Sequence, residues 1–214
     1  NWSAQAVAPV TQIAQSSSGV PYTYTLVVGA GDTGSIKDHV GAWSWEDNSL
    51  FGPGDDPVGW THTSKWVAVM LKDAVTLNVT MARDATVPWP SLADPNRLAD
   101  TSSMFPSLTI WRGWDQDGTQ DHTYNNHGNV GWAEDLNYID HIDNSTQNSI
   151  TRSWTLPAGL YTFVLGSNAP ATNSNRQGFS FSYSTSAPVF VSPVITKQPV
   201  SLSVNVGQKA AFSV

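Results

Sequence analysis

From residue 21 onward, short runs of apolar and aromatic residues alternate with Thr, Ser and Asn, and turn residues separate the runs. Side chains on a strand point to opposite faces in turn, so this period of two marks strands with one face buried. Residues 21–28 alternate aromatic residues with Thr and predict the first strand. Residues 40–46 predict a second, with Trp43 and Trp45 on one face. Residues 65–71 and 74–81 are two β-rich runs on either side of Lys72 and Asp73, which reads as a hairpin whose first arm is the more deeply buried. Further strands are predicted over 107–113, 149–156, 160–166 and 179–184, with Pro157, Ala158 and Gly159 turning the chain between two of them. The stretch around 134–140 reads as a short helical turn. About eight strands without a long helix predict an all-β fold, a jelly-roll-like antiparallel β-sandwich with long loops.

The intervening segments set the boundaries. Residues 1–19 are small and polar and form an N-terminal arm, which lacks an initiator Met and a signal-peptide core and so looks like a mature or trimmed end. Residues 29–34 and 52–57 carry dense Gly, Pro and Asp turn chemistry. Residues 84–106, rich in Pro, Asp and Ser, form a long connection of the kind that is usually functional or disordered. After Ala187 the character changes, and 195–214 resembles the opening of a bacterial immunoglobulin-like repeat. The expected organisation is an arm over 1–19, a sandwich domain over 20–187, and a linker with the truncated start of an immunoglobulin-like domain over 188–214. Such arrays imply a secreted or cell-surface bacterial protein, attached through the domains that would follow.

Composition narrows the chemistry. The net charge is −7 with only ten Lys and Arg, which argues against nucleic acid, since phosphate binding needs a cationic surface. There are no cysteines, which removes disulfides, thiolate metal sites and cysteine nucleophiles together. A soft metal must therefore be held by histidine, methionine or something less usual. No apolar run reaches the length of a membrane span.

The five histidines are His39, His62, His122, His127 and His141, and no pair has the helical spacing of a His-Glu-x-x-His zinc site. Any metal centre must be assembled from distant segments. Asp115, Asp117 and Asp121 surround Gly118 at spacings that suit a calcium-binding turn, without the Glu that closes an EF-hand loop. The same residues also read as a solvated Asp-Gly turn. Adjacent carboxylates such as Glu134 and Asp135 point apart on a strand, and no Gly-x-Ser-x-Gly elbow is present, so no hydrolytic enzyme is indicated. In the stretch 59–66, Trp60 stands two residues before His62, which in an extended chain sets indole and imidazole side by side on one face.

The Trp60-Thr61-His62 piece and the segment 132–141 together resemble the surface-associated and secreted copper(I)-binding proteins of methane-oxidising bacteria, the CorA and MopE type. The resemblance implies one copper(I) held by two histidines and by kynurenine, an oxidised tryptophan lying two residues before the first histidine. Trp60 and His62 match that local pattern. For the second histidine the resemblance points first to His141, with His127 and His122 as alternatives. It implies a protein for copper capture at the cell surface. Copper(I) is soft and accepts few ligands, so two imidazoles go far towards a site. Thr61, Thr63, Glu134 and Asp135 are candidates to orient the imidazoles. A different class of function also fits: a secreted carbohydrate-binding or adhesion sandwich, calcium-dependent through the Asp115 turn, with Trp43, Trp45, Trp89, Trp111 or Trp114 stacking on sugar rings. A purely structural surface-layer domain is the third reading.

Overall fold

The computed structural model describes residues 20, 22–41, 44, 45, 63–101, 104–115, 136–168, 176–189, 207 and 209. Among them are nine strands and no helix: β1 (Tyr22–Val28), β2 (Thr33–Gly41), β3 (Lys65–Leu71), β4 (Val75–Arg83), β5 (Pro106–Arg112), β6 (Asn137–Ile142), β7 (Ser149–Leu156), β8 (Gly159–Ser167) and β9 (Arg176–Thr185). They form a five-stranded sheet in the order β1-β3-β8-β5-β6 and a four-stranded sheet in the order β2-β9-β4-β7.

This is a jelly roll in its connectivity. β2 pairs with β9, β3 with β8, β4 with β7 and β5 with β6, all antiparallel. The chain is thus one long antiparallel ribbon with its tip at β5–β6, rolled so that successive rungs fall in alternate sheets. β1 adds to the edge of the five-stranded sheet beside β3, and that pair is parallel. The antiparallel expectation therefore holds for every pair but this one, because β2 crosses to the other sheet and the chain returns in its original direction.

Two local expectations are corrected. The runs on either side of Lys72 and Asp73 are not a hairpin, because β3 belongs to the five-stranded sheet and β4 to the four-stranded one. Leu71 and Val75 are both buried in the core between the sheets, so the short link arches across that core instead of pairing its arms. The second strand is Thr33–Gly41 and not 40–46. Ile36 and Val40 are its core contacts, while Asp38, on the same face, sits at the sandwich edge and accepts hydrogen bonds from Tyr24 Oη at 2.7 Å and Lys65 Nζ at 3.0 Å. That inward carboxylate masks the alternation.

The main core lies between the sheets, with Val67, Val69, Leu108, Ile110 and Phe163 meeting Leu77, Met81, Phe179 and Phe181. A second apolar cluster covers the outer face of the five-stranded sheet: Tyr22, Trp66, Ala68, Trp111 and Val164, with Val20, Trp45 and Leu136 packed over them. β3, β5 and β8 are consequently buried on both faces, which explains their near-continuous apolar sequences. β4, with one face solvated, keeps strict alternation. Among the described residues of the connection 84–105 there is no regular strand, only an isolated bridge between Pro88 and Leu98 and another between Asp100 and Gln177, in line with the long loop expected there. The segment 188–214, where an immunoglobulin-like start is expected, falls almost wholly outside the described residues.

Candidate metal site on the outer sheet face

The outer cluster is built in cross-strand rows. Tyr22 pairs with Trp66, Trp66 with Val164, Val164 with Thr109 and Thr109 with His141, which puts all five on one face. The next row on that face runs Ala68, Thr162, Trp111 and Tyr138. His141 and Tyr138 are three residues apart and would face opposite ways on a regular strand. The register shifts between Ile110 and Trp111, however: Ile110 pairs with Asp140 and Trp111 with Tyr138, so Ile139 is an extra residue. This bulge turns both rings to the outer face. Asp140, on the opposite face, accepts from Trp154 Nε1 at 2.9 Å and pairs with Arg152 at 3.2 Å, tying β6 to β7 at the sandwich edge. The expected helical turn is therefore a strand from Asn137 onward, a half-exposed edge whose burial does not alternate.

His141 is held on two sides. Its Nδ1 lies 2.6 Å from Tyr138 Oη. Its ring stacks on Trp45, with centroids 5.9 Å apart and planes at 24°. Trp45 is itself fixed: Nε1 donates to Thr109 Oγ1 at 2.9 Å, and the backbone N–H groups of Ser44 and Trp45 both donate to the Ser167 carbonyl at 3.0 Å. Ser167 N–H returns a bond to Ser44 Oγ at 2.9 Å. Ser44 and Trp45 thus form a strap across the end of β8, running over Gly166, whose missing side chain leaves room for it. The Nε2 of His141 makes no hydrogen bond among the described residues.

His39 is the other described histidine. It stands on β2, in the opposite sheet, opposite Gly178. Its Nδ1 is buried without a hydrogen-bond partner among the described residues. Burial pushes its pKa down, and Lys65 and Arg176 act in the same direction against Asp38. Its ring leans towards Trp89 at 6.3 Å. The fold does not bring it to His141.

Trp60, His62, His122 and His127 lie outside the described residues, as do Thr61, Glu134 and Asp135. Thr63 marks where the chain enters β3, with its carbonyl accepting from Gly41 N–H at 3.1 Å. Of the calcium candidates, Asp117 and Asp121 also lie outside. Asp115 is buried, and its Oδ2 accepts from Val20 N–H at 2.8 Å. Its own N–H donates to Tyr22 Oη at 3.0 Å. Asp115→Ala should therefore strip a buried N–H of its acceptor and lower stability by about 1–3 kcal/mol, read from a urea melt. Of the proposed sugar platforms, Trp45 and Trp111 are fully buried, which corrects their expected exposure. Trp114 donates Nε1 to Tyr161 O at 2.9 Å, Trp89 is capped by Arg97 at 3.7 Å, and Trp43 lies outside the described residues. The sequence marked His141 but not its neighbours: nothing in the pattern near Trp45 signals a strap, and Tyr138 meets His141 only through the bulge.

Among the described residues no three His, Asp or Glu side chains converge as a metal site, and no helix is long and apolar enough to cross a membrane. No protein family and no curated protein matches the chain. Solved structures that are similar to it include CorA, a surface-associated copper-binding protein important in copper acquisition by Methylomicrobium album BG8, at 16% identity and a TM-score of 0.41, covering 77% of this chain and 100% of that one. MopE, a secreted protein of Methylococcus capsulatus in which an oxidised tryptophan facilitates copper binding, aligns at 15% identity and a TM-score of 0.43, over 80% of this chain and 91% of that one. The pre-peptidase C-terminal domain of a Bacillus anthracis collagenase aligns at 9% identity and a TM-score of 0.32, over 74% and 93%. Identity and TM-score are low throughout, and these matches assign the chain to no family.

Proposed function

We propose that this chain is a secreted or cell-surface protein that captures copper(I), with His141 and His62 as the imidazole ligands and Trp60, converted to kynurenine, as the third contact. The observation that carries the reading is the setting of His141. An imidazole is braced by an indole and a phenol, one ring nitrogen is engaged, and the other is unbonded among the described residues. Aromatic walls and a neutral partner suit a soft, singly charged ion better than a hard divalent one, which favours oxygen donors.

β6 stands three strand spacings from β3, about 14 Å, so the pairing requires the segment before Thr63 to bring His62 across the outer face to His141. His127 and His122 are the alternatives to His141 as the second ligand, and a calcium ion at Asp115, Asp117 and Asp121 is a separate proposal. The carbohydrate reading is the weaker one, since two of its five tryptophans are buried in the outer cluster.

The test is metal analysis of protein purified natively, with mass spectrometry of the peptide that holds Trp60. Copper near one equivalent and the mass change of tryptophan to kynurenine are expected. Copper-free protein with intact Trp60, and no uptake of added copper(I), would refute the proposal.

A further inference from the structure

We infer that Tyr138 is the positioning residue for His141, selecting Nε2 as the nitrogen offered to the ion; this rests on the copper reading above. Without the bulge at Ile139, Tyr138 and His141 would lie on opposite faces of β6. With it, Tyr138 Oη reaches Nδ1 at 2.6 Å, a short contact that occupies one ring nitrogen. Trp45, stacked on the imidazole and held by Thr109, limits rotation about the side chain, so the engaged nitrogen stays engaged.

A metal-ligating histidine needs a lone pair on the ligating nitrogen and its proton on the other, where a partner accepts it. A phenol can serve in either state, because its oxygen both donates and accepts. With the ion on Nε2, Nδ1 would keep the ring proton and donate it to Tyr138 Oη, whose own hydrogen turns away. A carboxylate in the same place would accept only, and would add a negative charge that favours divalent ions. Tyr138 therefore bears on metal choice as well as on geometry.

The experiment compares wild-type, Tyr138→Phe and His141→Ala proteins, titrated with copper(I) against a chromogenic copper(I) chelator, alongside two-bond nitrogen–proton NMR spectra of the histidine rings. Phenylalanine keeps the ring packing and removes only the hydroxyl. The expected result is roughly a tenfold loss of copper(I) affinity in Tyr138→Phe, at the low end for an outer partner of a ligand. In the metal-free protein, the His141 ring should change from a single tautomer to a mixture. Unchanged affinity and an unchanged His141 tautomer in Tyr138→Phe, with affinity lost in His141→Ala, would overturn the inference and leave the copper reading standing. Wild-type affinity in His141→Ala would overturn the inference together with His141 as a ligand, and would pass the second ligand to His127 or His122. The NMR spectrum of the metal-free protein reports on the hydrogen bond whatever the outcome with copper, which a purely structural tyrosine would not move.

Discussion

Replacing Phe163 by alanine is expected to remove about 3–5 kcal/mol of folding stability. Phe163 is fully buried at the middle of β8, paired with Val67 on one side and Ile110 on the other. Its ring meets Phe181 of the opposite sheet at 5.9 Å and the edge of Trp154 at 5.8 Å. It therefore joins the two sheets and the β6–β7 edge at one point. The site cannot collapse onto the cavity, because β8 is hydrogen-bonded on both sides and its outer face is packed under the second apolar cluster. Phe163 already borders a small apolar void with Leu26, Val69, Leu77 and Tyr183, which truncation would enlarge. Set against a total of about 5–15 kcal/mol for a domain, the loss leaves a protein near its threshold. The check is a urea melt: the midpoint should fall with little change in slope. Val27→Ala, on the exposed outer edge, should stay within about 0.5 kcal/mol and serves as the control. Equal effects from the two variants would mean that the junction between the sheets is not where the fold's stability is concentrated.

The strands buried on one face were plain, because alternation is enforced wherever one side meets water; β4 and β9 are the clearest cases. The doubly buried β3, β5 and β8 were recognised as strands through β-branched and aromatic content, but not as carriers of a second core. Periodicity says that both faces are apolar and not what covers them. The arch at Lys72 and Asp73 reads as a hairpin in the sequence because a two-residue link between apolar runs looks the same whether its arms pair or separate into two sheets; only the partners β8 and β9 decide it, and they lie far along the chain. Trp45 reads as a strand residue because Trp43 and Trp45 alternate, yet its place is set by a hydrogen bond to Thr109, 64 residues away. At the candidate site, His141 was legible as a residue type and its surroundings were not, because a bulge has no sequence signature here beyond the missing alternation of β6. The Trp60–His62 pair lies outside the described residues.

Gly166→Ala is expected to cost about 1–3 kcal/mol from overpacking, and about 1 kcal/mol more for the indole hydrogen bond it displaces. A Cβ at this position would stand 2.6 Å from Trp45 Cβ, 2.9 Å from the Ser44 carbonyl carbon and 2.9 Å from Trp45 N. Two of those contacts are backbone atoms, which cannot swing aside as a flexible side-chain end would. The strap cannot shift in place either, since both its N–H groups are bonded to the Ser167 carbonyl and Ser44 Oγ accepts from Ser167 N–H. The added methyl must therefore lift the strap from the sheet, and Trp45 leaves both Thr109 and the face of His141. Two readouts follow from one atom group. Stability should fall in the urea melt, and the fluorescence of a tryptophan moving from full burial to water should shift to longer wavelength in the folded baseline. Copper(I) affinity, under the proposed function, should fall as well, because the imidazole loses the wall that limits its rotation. Gly31→Ala separates crowding from backbone effects: Gly31 has φ of 79° and nothing within 4 Å of a built Cβ, so its cost is conformational alone and should leave copper binding untouched. A Gly166→Ala protein with wild-type stability and unshifted fluorescence would show that Trp45 does not lie against β8, and the aromatic bracing of His141 would have to be abandoned with it.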